Sequence, residues 1–107
     1  MLGDALVATE DPTNLKEAAQ VLKVAVQRDN ENPQAWYNLG LIYTRLGDEP
    51  RAYLASAERF SLEGNPRLAM ANAENAMHGI PVGTPDYLRA QDLALTSRDA
   101  ASQKRRR

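Results

Sequence analysis

The stretch NPQAWYNLGLIYTRLGD at 32–48 constrains the fold of this chain more than any other. Pro33 opens a helix where its missing N–H costs nothing. Trp36, Leu39, Gly40 and Tyr43 follow at intervals of three, one and three, which puts them on one helical face. Gly47, followed by Asp48, closes the helix with a residue that accepts positive φ. A glycine inside a helix costs about 1 kcal/mol against alanine, so Gly40 predicts that a second helix crosses there at close range. Trp36 and Tyr43 are expected in the core, and Tyr37 lies off their face.

The rest of the composition fits a single all-helical domain. At 107 residues, rich in alanine and poor in β-branched runs, the chain can build one core. It has no cysteine, which removes disulfides and thiolate metal sites. No apolar run approaches a membrane span, so membrane insertion is not expected, and no basic-then-apolar leader opens the sequence. The terminal KRRR carries +4 of a net charge of −1, leaving nine basic against 14 acidic residues elsewhere. That balance gives no footprint for nucleic acid. His78 is the only histidine, too few for HExxH or for a zinc site, and no nucleophile motif or phosphate loop is present. No catalytic residue, metal ligand or cofactor is expected in this chain.

Taken in order, residues 2–11 (LGDALVATED) overlay 39–48, with Leu2 on Leu39, Gly3 on Gly40, Leu6 on Tyr43 and Asp11 on Asp48. Two readings follow: a first helix truncated because the chain is part of a longer protein, or a short capping helix. Pro12 is expected to break the chain. Thr13 or Asn14, with Glu17, then caps a helix over 13–30 carrying Leu15, Ala18, Ala19, Leu22, Ala25 and Val26. Further helices are expected at 33–46, 50–63 and 66–78. GIPVGTP at 79–85 is a turn-rich loop. Thr84 or Asp86 caps a last helix with Tyr87, Leu88, Ala90, Leu93 and Leu95 as its apolar residues. The periodicity fades beyond Ser97, so the domain is assigned to 1–103 and 104–107 to a basic disordered tail. A truncated first helix would leave Leu2, Leu6, Leu22 and Val26 beside an exposed apolar patch, which predicts a homodimer.

The Trp-x-x-Leu-Gly-x-x-Tyr spacing resembles the first helix of a tetratricopeptide repeat. Ala52 falls nine residues after Tyr43, where the repeat places a small second-helix residue, and Ala18 lies one 34-residue period earlier. Ser56 and Arg59 depart from the pattern. The resemblance implies a right-handed superhelix of about six antiparallel helices. Residues 50–78 fit it in two registers, with 50–63 as a second or as a first helix. It also implies a protein or peptide partner on the concave face, lined by Gln34, Tyr37, Asn38, Leu41, Thr44 and Arg45.

The order AWYNLGLIYTRLGD, RAYLASAERFSLEGNPRLAMANAENAM, GIPVGTPDYLRAQDLAL further resembles the carboxy-terminal repeat region of bacterial periplasmic zinc metallopeptidases. The AER-x-x-x-x-G-x-x-x-x-A block at 57–69 and PDYLRAQD at 85–92 carry this resemblance. It implies a periplasmic parent whose zinc and HExxH catalytic domain lie outside this chain, and none of whose active-site residues is present. It also makes the parent's own peptidase domain a candidate partner. The function expected is then a docking or regulatory domain in envelope protein quality control, with a free-standing repeat adaptor or assembly factor as the alternative.

Overall fold

The computed structural model describes residues 12–105. These form five helices and no strand: α1 (Pro12–Arg28), α2 (Pro33–Arg45), α3 (Glu49–Leu62), α4 (Pro66–Met77) and α5 (Pro85–Arg105). The fold is all-α and TPR-like. The sixth helix, expected at 2–11, lies outside the described residues.

Proline stands at the first or second position of all five described helices. Pro12 is the first residue of α1, and the chain break expected there falls against residues outside those described. Thr13, Asn14 and Glu17 therefore stand inside the helix, not at its cap. Asn32 caps α2, its side chain accepting from the backbone N–H groups of Gln34 and Ala35. Thr84 caps α5, its hydroxyl accepting from the Tyr87 N–H at 3.3 Å.

The α2–α3 and α3–α4 turns are built alike. Gly47 (φ 77°) and Gly64 (φ 78°) each follow a helix in the left-handed region. The next N–H reaches back five residues, from Asp48 to the Tyr43 carbonyl and from Asn65 to the Phe60 carbonyl, both at 2.9 Å. This double-bonded stop satisfies carbonyls the helix end would leave open. Asp48 and Asn65 then cap α3 and α4, accepting from the N–H groups of Arg51 and Leu68. One residue thus ends one helix and starts the next, which keeps consecutive helices side by side.

Two apolar clusters make up the core. Leu15, Ala18, Ala19 and Val26 of α1 pack with Leu39 and Ile42 of α2. Leu54 and Ala57 of α3 pack with Ala73 and Ala76 of α4, Ala90 and Leu93 of α5, and Ile80 from the connecting loop. Between the clusters, α2 meets α3 across small residues. A Cβ placed on Gly40 would sit 3.6 Å from the Ala55 Cβ and 3.8 Å from the Ala52 carbonyl oxygen. Gly40 is therefore at a close crossing, as its place in the helix predicts, with room left for a methyl group.

Several side chains differ from expectation. Leu22 and Val26 pack onto α2, while Val21, Val24 and Ala25 are exposed, so Ala25 stands off the buried face expected for it. Leu88 and Leu95 are exposed, because the buried stripe of α5 runs through Ala90, Leu93 and Ser97. Helix α5 continues through Arg105, so it takes in Lys104 and Arg105. Its last turns hold alanine, glutamine, lysine and arginine, residues of high helix propensity.

Candidate docking cleft

A cleft of about 120 Å3 opens where the two clusters meet. Val26 of α1, Trp36, Leu39 and Tyr43 of α2, and Leu54 and Ala55 of α3 form its apolar lining. Its polar lining is Lys23 and Gln27 from α1, Arg51 and Glu58 from α3, and Asp86 and Arg89 from α5. Trp36 and Tyr43 are half-buried, not core, because they floor this opening. The indole N–H of Trp36 donates to the Asn30 carbonyl at 2.9 Å, which fixes the ring against the α1–α2 loop.

Two ion pairs hold α5 beside α3. Arg51 donates to Asp86 at 2.9 Å and to Asp48 at 3.1 Å. Arg89 grips Glu58 with two bonds, Nε to Oε2 at 2.8 Å and Nη2 to Oε1 at 2.7 Å, and reaches Asp92 at 3.1 Å. Glu58 is buried, and two-pronged pairing to a guanidinium is the geometry that compensates a desolvated carboxylate. Residue numbers rise along both helices from the first pair to the second, so α3 and α5 run parallel as alternate members of the array.

The electrostatics follow from these contacts. Burial raises the Tyr43 hydroxyl above its ordinary pKa of 10.0, and the negative charge of Asp86 adds to this, with Arg51 partly opposing. Burial alone would make Arg51 easier to deprotonate, but its bonds to Asp86 and Asp48 more than offset that and raise its pKa. The bond to Glu58 raises the pKa of Arg89 against the effect of burial. Both arginines stay charged.

None of the six residues expected on the concave face lines this cleft. Gln34, Tyr37, Leu41, Thr44 and Arg45 are exposed and Asn38 is half-buried. The cleft lies over the Trp36–Leu39–Tyr43 stripe, and these six stand off that stripe by helical periodicity. Helix α3 touches α5, whereas α2 and α4 make no comparable contact, so the closer-packed side is that of α3 and α5. On the outer face Gln34 donates to Asn38 at 3.1 Å, and the Thr44 hydroxyl donates to the Gly40 carbonyl. The Arg59 guanidinium lies 5.3 Å from the Tyr37 ring centre and 4.3 Å from that of Phe60.

The cleft's charged lining was open to sequence reasoning through one signal. Arg51 and Glu58 are seven apart on α3, Asp86 and Arg89 three apart on α5, so each helix presents two opposite charges on one face. Only the three-dimensional array shows that the two faces meet. Among the described residues no group of His, Cys, Asp and Glu could hold a metal ion, and no helix is long and apolar enough to cross a membrane. His78 is an exposed helix-end residue.

Among known proteins, the family model described as TPR repeat matches residues 14–47, which span most of α1, its turn and α2. No curated protein and no solved structure matches the chain. TPR repeats generally mediate protein–protein interaction and are typically non-catalytic. The chain is thus similar to a TPR repeat across α1 and α2, within a TPR-like all-helical fold.

Proposed function

We propose that this chain is a non-catalytic docking domain that takes a partner protein in the cleft between α1, α3 and α5. The observation that carries the reading is the cleft floor. Half-buried Trp36 and Tyr43 line the cleft together with two ion-paired arginines, the aromatic and arginine composition that dominates binding energy at interfaces. The outer face of α2 is a second surface, favoured by the stack of Arg59 on Tyr37. Gln34, Tyr37, Asn38, Leu41, Thr44 and Arg45 would make its contacts.

The test is a photo-crosslinking residue placed at Gln27 in the cleft, at Leu41 on the outer face, and at the exposed loop residue Val82 as control. A discrete protein adduct from Gln27 alone supports docking in the cleft. An adduct from Leu41 alone moves docking to the α2 face. No adduct from either rejects the docking reading.

The finer context is a zinc metallopeptidase of the bacterial envelope, supported by the order of the sequence blocks at 35–48, 51–77 and 79–95. In that setting the partner is the parent's own peptidase domain or an envelope substrate, in the periplasm, and zinc belongs to the catalytic domain and not to this chain. An HExxH-bearing domain upstream in the encoding reading frame is the expected finding. A reading frame without one replaces this context with that of a free-standing adaptor.

A further inference from the structure

The first turns of α5 form a wall shared by two openings. On one side Asp86 and Arg89 line the docking cleft and bond to Arg51 and to buried Glu58. On the other side Tyr87, Gln91 and Ala94 line an opening of about 340 Å3 between α5 and α4. Met70 and Met77 line its α4 side, seven residues apart and so on one helical face. They are the two methionines among the described residues.

These two side chains differ in one respect. Both are half-buried and both border the opening. Met77 also packs, with Tyr87 and Ala94, against the cluster of Leu54, Ala73, Ala90 and Leu93 that joins α3, α4 and α5. Met70 borders the opening without a place in that cluster among the described residues.

A water molecule takes up about 30 Å3 in the liquid, so an opening of about 340 Å3 admits hydrogen peroxide. The methionine sulfur attacks one peroxide oxygen, the O–O bond breaks and an S–O bond forms. Sulfur gives up two electrons, and the second oxygen leaves as water with both peroxide protons. The product is a polar, chiral sulfoxide. At Met70 the new oxygen can turn to solvent. At Met77 it sits on a side chain packed among apolar groups, where a polar atom without a partner is unfavourable. Close packing then passes the disturbance to Tyr87 and α5.

We propose that Met77 is an oxidation site through which peroxide loosens the start of α5, the wall that carries Asp86 and Arg89 into the cleft. Reduction of the sulfoxide resets it. The site and its effect on α5 stand whether or not a partner enters the cleft, so they are independent of the docking reading.

The test treats the full chain with graded hydrogen peroxide and locates sulfoxides by peptide mass mapping. Amide exchange of each helix is then followed by mass spectrometry. The parent chain is compared with Met70→Leu and Met77→Leu, leucine being close to methionine in volume, and circular dichroism melts show that all three are folded. Conversion of Met77 is expected to raise exchange over residues 86–93 by about tenfold and to leave α1 unchanged. Met70→Leu should show the same rise and Met77→Leu none. Methionine sulfoxide reductase should reverse the rise.

A Met77 that stays unoxidised under peroxide that fully converts Met70 overturns the proposal. So does complete conversion of Met77 with exchange at 86–93 unchanged, or a rise that persists in Met77→Leu. A rise of equal size in α1 also overturns it, because the whole chain has then loosened and not the wall of the cleft.

Discussion

Two glycines show how differently the same residue type can be used. Gly40 faces α3 with ordinary contact distances around an added Cβ, so Gly40→Ala is expected to fit and to raise stability by up to about 1 kcal/mol through helix propensity. Gly40→Leu must push into Ala52 and Ala55 and should cost about 1–3 kcal/mol. Gly79 has no unusual φ, yet a Cβ there would overlap the Pro50 ring and come within 2.9 Å of its Cβ. Gly79→Ala is expected to destabilise by about 1–3 kcal/mol, so the two alanine variants should move the denaturation midpoint in opposite directions. Tyr43 gives a pH signature. Its folded pKa stands above 10.0, so the native state holds that proton more tightly than the unfolded chain. The stability this provides is complete below pH 10 and lost as pH rises through the folded value. Urea midpoints measured from about pH 8 to pH 11 should fall less for Tyr43→Phe than for the parent chain.

At the scale of the element, the helix junctions do most to fix the order of packing. Asp48 and Asn65 occupy equivalent places, but Asp48 also pairs with Arg51. Asn65→Ala should cost about 1 kcal/mol as a simple cap loss. Asp48→Ala should cost more than Asn65→Ala, and Asp48→Asn should recover the cap while leaving Arg51 with Asp86 alone. Equal losses for Asp48→Ala and Asn65→Ala would show that the Asp48–Arg51 pair adds nothing, as many exposed pairs do. The two-register reading of 50–78 also resolves here. Helix α3 packs on α2 before it and on α4 after it, and reaches α5 through Arg51 and Glu58. Both registers describe real contacts, because a middle helix in such an array has neighbours on both sides.

For the whole molecule, the division into two clusters sets an order of local stability. Among the described residues α1 makes its main helix contact with α2, while α3, α4 and α5 all contact one another. Amides of α1 are therefore expected to exchange with solvent faster than those of α3 and α4, with α2 between. Hydrogen exchange followed by mass spectrometry checks this, and uniform protection across all five helices would refute it. The cleft lies along the same division, so a partner bound there would contact α1 and α3 together. Slower exchange in α1 is then the expected mark of its binding.

Local chemistry alone set the helices and their stops. Proline at helix starts, asparagine, aspartate or threonine at caps and glycine at stops act through their nearest backbone neighbours, so their effect can be read without knowing the fold. The same holds for Gly40 as a crossing point, since a mid-helix glycine carries a local cost that calls for a contact. Where the stripe of Trp36 and Tyr43 ends up was not legible in this way. Periodicity says which residues share a face but not whether a neighbour covers that face completely. Here α3 and α5 close from one side and α1 from the other without meeting, and the aromatic rings are left half open. The pairing of Arg51 with Asp86 and of Glu58 with Arg89 likewise joins residues more than 30 positions apart. Only the tertiary array brings those charges within bonding distance.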